Sequence, residues 1–129
     1  MSTVKVENEI ITGNLTYHGI LLSYLNYNVT NINSNNYVIN SVTQNQINFF
    51  QCDTSLSGLN SNITITLPLI TSTEMIICIV DIGGYVNINP IIIQTSGSNK
   101  ICGLSSILLD GNYNVLRFTS NLSSIWFPV

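Results

Sequence analysis

Where apolar residues recur regularly in this chain, they recur every second position, the period of a strand whose side chains leave alternately on two faces. Ile63-Thr-Ile-Thr-Leu67 alternates until Pro68 stops it, which places Ile63, Ile65 and Leu67 on one face and the threonines on the other. Asn114-Val-Leu-Arg-Phe-Thr119 alternates as well, with Val115, Arg117 and Thr119 facing one way and Leu116 and Phe118 the other. Met75-Ile-Ile-Cys-Ile-Val80 is continuously apolar and rich in β-branched residues, so it predicts a strand covered on both faces. Shorter runs predict strands at Ile91–Thr95, Lys100–Cys102, Ser106–Leu109 and Ser124–Phe127. The less regular first half predicts strands at Glu9–Thr12, Gly19–Leu25, Tyr37–Ser41 and Gln46–Gln51, with one more strand and a loop inside Asn26–Asn36.

Turn signals separate these runs. Asp81-Ile-Gly-Gly84, Ser96-Gly-Ser-Asn99, Gly103, Asp110-Gly111 and Ser120-Asn121 all supply residues that reach turn conformations at low cost. Nothing in the pattern supports a helix of about ten residues or more. The expected fold is therefore all-β, a compact sandwich or a squat β-solenoid or prism of about 8–11 short strands. Residues 1–26 read as an N-terminal strand or arm and 27–129 as the main module, unless 1–129 is one continuous domain.

Composition narrows the chemistry. The chain has 129 residues, enough for one domain with a core of its own. Only three residues are basic and six acidic, for a net charge of −3. Recognition of nucleic acid through its phosphates, or of an anionic membrane surface, is not expected from so few cations. No apolar run is long enough to span a bilayer, and the charged start, Met1–Ile10, does not read as a signal peptide. The polar surface is instead built from Asn, Ser and Thr, which suits neutral ligands such as sugars. Four Asn-X-Ser/Thr triplets begin at Asn14, Asn28, Asn62 and Asn121, as chance produces in such a composition.

Candidate chemistry is thin. His18 is the single histidine and has no nucleophile-elbow sequence to serve, so no catalytic residue is assigned and the chain reads as a non-enzyme. Cys52, Cys78 and Cys102 lack metal-ligand spacing and read as small buried apolar side chains. Glu7 and Glu9 form the one close carboxylate pair and read as solvated. No dense acidic loop offers a calcium site, and neither metal nor cofactor is expected. Asp81 with Gly83 and Gly84 reads as a turn whose Asp bonds the backbone two residues on, and Asp110 sits at a similar turn. Tyr37, Tyr85, Tyr113 and Trp126, with Phe127, are candidates either for stacking a ligand or for packing, with Trp126 favoured as a core plug. Ile91, Ile92 and Ile93 are apolar enough to suggest a subunit interface or a fully buried strand.

From Tyr37 onward the order of features resembles the C-terminal all-β module of phage tail-fibre and viral surface fibre proteins. The pattern runs from Asn36-Tyr-Val-Ile-Asn40 and Asn48-Phe-Phe-Gln-Cys52 to Ile63-Thr-Ile-Thr-Leu-Pro68 and Ile76-Ile-Cys-Ile-Val-Asp-Ile-Gly-Gly84. It continues with Asn89-Pro-Ile-Ile-Ile93, Lys100-Ile-Cys-Gly103, Asn112-Tyr113, Ser120-Asn121 and the terminal Trp126. The chain departs from it at its cysteines and at Ser123-Ser124, where a glycine often precedes the tryptophan. The resemblance implies a virion protein, made in the host cytoplasm, trimeric, and placed on the surface for attachment to a host receptor or glycan beside other virion proteins. Two alternatives stand next to it: a capsid-associated cement protein with no receptor role, and a non-viral lectin-like module. The resemblance implies no catalytic residue.

Overall fold

A computed structural model describes residues 26–42, 46–71, 75–121 and 123–129. The strands expected at Glu9–Thr12 and Gly19–Leu25, the arm before Asn26, the pair Glu7 and Glu9, and His18 lie outside the described residues. The described chain is all-β, in a β-solenoid-like arrangement of about three turns. Among the described residues no helix is long and apolar enough to cross a membrane.

Among the described residues ten strands follow one another: β1 (Asn26–Asn31), β2 (Asn36–Val38), β3 (Gln46–Cys52), β4 (Ile63–Thr66), β5 (Ile76–Asp81), β6 (Ile91–Gln94), β7 (Lys100–Ile101), β8 (Ser106–Leu108), β9 (Val115–Ser120) and β10 (Ile125–Pro128). They form one six-stranded sheet in the order β1-β3-β5-β9-β10-β7 and one four-stranded sheet in the order β2-β4-β6-β8. The chain alternates between them. Each coil places one strand in the larger sheet and the next in the smaller, so β1, β3 and β5 pair in parallel, as do β2, β4 and β6. In the smaller sheet Asn36 pairs with Thr64 and Thr64 with Ile92, so a coil advances the chain by 28 residues. In the larger sheet Asn28 pairs with Asn48 and Asn48 with Ile77, steps of 20 and 29. The uneven steps are absorbed by loops and leave the rows in register.

The stack ends when strand direction reverses. β8 runs antiparallel to β6, and β9 antiparallel to β5. β9 and β10 form a hairpin, Trp126 opposite Ser120, and β7 joins the outer edge of β10 in parallel. Asn121 makes that hairpin turn rigid, its Oδ1 accepting from the backbone N–H of Ser123, Ser124 and Ile125 at 2.9–3.0 Å.

Register turns the alternation into layered rows. Ile63, Ile65 and Leu67 from β4 and its continuation, and Ile91 and Ile93 from β6, are fully buried facing the larger sheet. They meet Phe50, Ile77, Ile79, Phe118 and Trp126. Each fully buried Ile or Leu is worth about 1.5–3 kcal/mol of transfer free energy, so these rows carry the fold. Tyr37 bridges the layers, its ring centroid 6.1 Å from that of Phe50. Asn48 is a polar member of an inward row. Its amide donates to the carbonyls of Gln46 (3.3 Å) and Ile76 (3.1 Å), and its Oδ1 accepts from Asn28 (3.4 Å), so one amide ties three successive coils. Trp126 Nε1 is buried without an acceptor among the described residues. The buried indole surface offsets that cost, which is of order 1–3 kcal/mol.

Within the described residues most strand expectations overlap these elements, but Tyr37–Ser41 is strand only as far as Val38, and the faces add detail. β5 is buried inward at Ile77 and Ile79, while Ile76 and Val80 are half-buried, so it is not fully covered on its outer face. Asp110-Gly111 turns the chain between two different sheets, β8 to β9, rather than closing a hairpin.

Phe118, fully buried opposite Ile77, is expected to be among the costliest truncations. Phe118→Ala should lose about 3–5 kcal/mol, read as a lower urea midpoint, against under about 0.5 kcal/mol for Thr64→Ser on the outer face.

Candidate functional site

Hydrogen bonds gather at the end of β5. Asp81 is 2 % exposed. Its Oδ1 accepts from the Thr54 hydroxyl at 2.6 Å and from the N–H of Gly83 and Gly84 at 3.1 Å each, and its Oδ2 accepts from the Tyr113 N–H at 3.0 Å. The bond to Gly83 is the expected Asp turn and that to Gly84 extends it; the other two reach Thr54 on a neighbouring coil and Tyr113 in the closing loop. Thr54 relays the contact. Its Oγ1 accepts from Tyr85 N–H at 2.8 Å, and its carbonyl accepts from Asn89 Nδ2 at 2.8 Å. One carboxylate thus holds three segments: the loop after β3, the loop 82–90, and the loop 109–114.

Glycine is required where these segments touch. A Cβ on Gly83 would lie 2.5 Å from the backbone nitrogens of Thr54 and Ser55. Gly84 has φ +76, and a Cβ there would lie 2.2 Å from Tyr113 Cζ. The phenol end of Tyr113 therefore rests on Gly84, while the residue remains 68 % exposed. Tyr113 itself has φ 58, a left-handed conformation that costs a non-glycine residue energy and persists here because Asp81 holds its N–H.

Loops 82–90 and 109–114 stand side by side, stapled at Gly84–Tyr113 and again where Asn87 N–H donates to Asn112 Oδ1 at 3.1 Å. Between them lies a groove of about 520 Å³ lined by Val86, Asn87, Pro90, Leu108, Leu109, Asp110, Gly111 and Asn112. Its apolar part comes from Val86, Pro90, Leu108 and Leu109, its polar part from two carboxamides and one carboxylate. Among the described residues neither Lys100 nor Arg117 lines it, and the charge that the described lining gives it is that of Asp110. The far side of the closing loop is fastened by Asn114, whose Nδ2 donates to the Asp110 carbonyl and whose Oδ1 accepts from Val115 N–H at 2.8 Å.

The aromatics singled out from the sequence separate. Tyr37 and Trp126 pack in the core, and Phe127 lies on the outer face at 39 % exposure. Tyr85 and Tyr113 come to the surface around Asp81, one residue from the groove lining at Val86 and Asn112. Ile91 and Ile93 are fully buried within the chain's own core, leaving Ile92 to face outward, half-buried. Thr54 and Asn89 were not singled out from sequence, nor were Asn87 and Leu108; each gains its role from a residue more than fifteen positions away.

The titratable groups sort by burial. Cys52, stacked beside Asp81, has its thiol pushed up to about 12, first by burial and then by the Asp81 charge. Burial also raises the Cys78 thiol, with Arg117 across the strand pair pulling the other way. Cys102 departs from the expected burial: it is exposed, at φ 46 in the turn before Gly103. Asp53 at the surface is held below the ordinary carboxylate range by the Ser55 hydroxyl and then its N–H. That small contribution to stability is complete above the ordinary carboxylate pKa and is lost as pH falls through the lowered value. Among the described residues no cluster of three or more His, Cys, Asp or Glu side chains is arranged to hold a metal ion.

Two measurements check this site. Every partner of the Asp81 carboxylate is a donor, so Asp81→Asn should turn an N–H toward another donor, and Asp81→Ala should leave four donors without an acceptor. The loss is expected to be about 3 kcal/mol or more for the alanine and smaller for the asparagine, read from urea unfolding. With a thiol-specific reagent at pH 8, the folded chain should expose one fast thiol, Cys102, and release Cys52 and Cys78 only in denaturant.

Compared with known proteins, the chain matches no family model, and the search of curated proteins finds no relative for it.

Proposed function

We propose that this chain is a passive structural module of a virion surface, a fibre- or tail-tip-type unit that works as a homotrimer and attaches the particle to a host glycan or receptor. It acts through shape and hydrogen bonding, without catalysis, cofactor or metal. The observation that carries the reading is the stack itself. Parallel coils in register make a stiff rod, because backbone bonds between coils run along the stack and each inward row packs on the next.

The motifs that carry the resemblance fall on successive coils of that rod. Asn36–Asn40 contains β2, Ile63–Pro68 contains β4, Ile76–Gly84 contains β5 and its Asp81 turn, and the closing Trp126 plugs the last hairpin. The outer face of the smaller sheet carries amides and hydroxyls, with Gln94 Nε2 donating to Thr66 Oγ1 at 2.9 Å, beside the apolar Val38, Ile92 and Leu108. Weak single contacts by such a surface gain from repetition, since linked copies bind together at a high effective concentration.

Light scattering after size exclusion tests the assembly. The expected mass is three times 14.2 kDa, unchanged on dilution to micromolar concentration; a monomer overturns the trimeric reading.

A further inference from the structure

The groove between loops 82–90 and 109–114 has a chemistry of its own, and we infer that it binds a neutral saccharide that extends past the lining residue Asn112 onto its neighbour Tyr113, outside the lining, as a stacking platform. This rests on the attachment reading and gives that attachment a ligand class.

Three observations converge. The first is the lining. A sugar ring presents an apolar C–H face and a rim of hydroxyls, and the groove presents Val86, Pro90, Leu108 and Leu109 beside Asn87, Asn112 and Asp110. Carboxamides and a carboxylate donate to and accept from hydroxyls without demanding charge on the ligand. Asn112 already uses its Oδ1 on Asn87 N–H, which leaves its NH2 to donate to a ligand oxygen.

The second is charge. Among the described residues Asp110 is the one ionisable member of the lining, and no described cation lines the groove beside it. A sialylated or sulfated glycan would meet a like charge there, so the site selects neutral sugars.

The third is rigidity. Tyr113 is 68 % exposed, yet its backbone is held at φ 58 by Asp81 and its phenol end is seated on Gly84. An exposed aromatic ring with few conformations to lose is suited to stacking, because binding then costs little ordering entropy. Both loops are fixed before any ligand arrives, and the volume, about 520 Å³, lies in the range of ligand sites.

The test uses the whole chain, fluorescently labelled at Cys102, on an array of neutral glucose-, galactose-, mannose- and N-acetylglucosamine-terminated oligosaccharides beside sialylated and sulfated ones. Tyr113→Ala removes the platform. Leu108→Arg, at a position 61 % exposed on β8, blocks the groove without touching the core. The expected result is binding to one or more neutral glycans, reduced at least tenfold by each variant, with mass and urea midpoint of Leu108→Arg unchanged. No binding to any neutral glycan, a preference for anionic glycans, or binding that survives both variants overturns the inference. If that happens while the mass remains trimeric, the groove assignment falls and the assembly reading stands; a monomer that binds neutral glycans through the groove reverses the two.

Discussion

The closing half of this structure depends on a buried carboxylate that, among the described residues, is met by hydrogen-bond donors rather than by a cation. Asp81 ends β5 and gathers donors from its own turn, from Thr54 one coil away, and from Tyr113 in the closing loop. A charge taken out of water is costly unless its lone pairs are filled, so the arrangement is all or nothing. With four donors in place, it locks the direction in which the chain leaves the larger sheet. The groove walls follow from that lock, since loop 82–90 holds Gly83 and Gly84 near its start and loop 109–114 holds Tyr113 near its end, all bonded to Asp81.

The rods of isoleucine and leucine beneath are nonspecific by comparison. Rows such as Tyr37–Ile65–Ile93 tolerate exchange of one apolar residue for another of similar volume. What such rows do not specify is the coil-to-coil register, because a stack of similar side chains is satisfied by several alignments. Asn48 supplies part of that specification, as its buried amide is matched only where Gln46, Ile76 and Asn28 surround it. The reversal of direction at β8 and β9 then stops the stack, and the Trp126 side chain fills the end of the core.

The division between rigid stack and surface loops also explains where chemistry is placed. Inward strand side chains are committed to the core rows, while the outward ones mix amides and hydroxyls with exposed apolar residues such as Val29, Val38, Leu108 and Phe127. The longer connections, released from the sheet, carry Tyr85, Tyr113 and most of the groove lining. Their positions are nevertheless as fixed as those of the strands, because their backbone N–H groups are bonded to buried side chains.

Much of the local structure was written in short stretches of sequence. The alternation in Ile63–Leu67 set which side chains turn inward, and the same pattern in 114–119 set the inward Phe118 and the outward Arg117. Asp81 with its glycines announced a turn, because the bond to Gly83 N–H lies within two residues and the positive φ of Gly84 needs the absence of a Cβ. These are steric and hydrogen-bonding facts of neighbouring residues. Only the tertiary structure decided that β3 pairs with β5 in parallel, that Tyr37 turns inward while Tyr113 stays out, that Cys102 is exposed, and that Ile91 and Ile93 pack inside the chain. It also decided that Asn87 and Leu108 share a groove. Each depends on two segments brought together by coils of 20 to 29 residues, and periodicity along one strand carries no information about which other strand lies beside it.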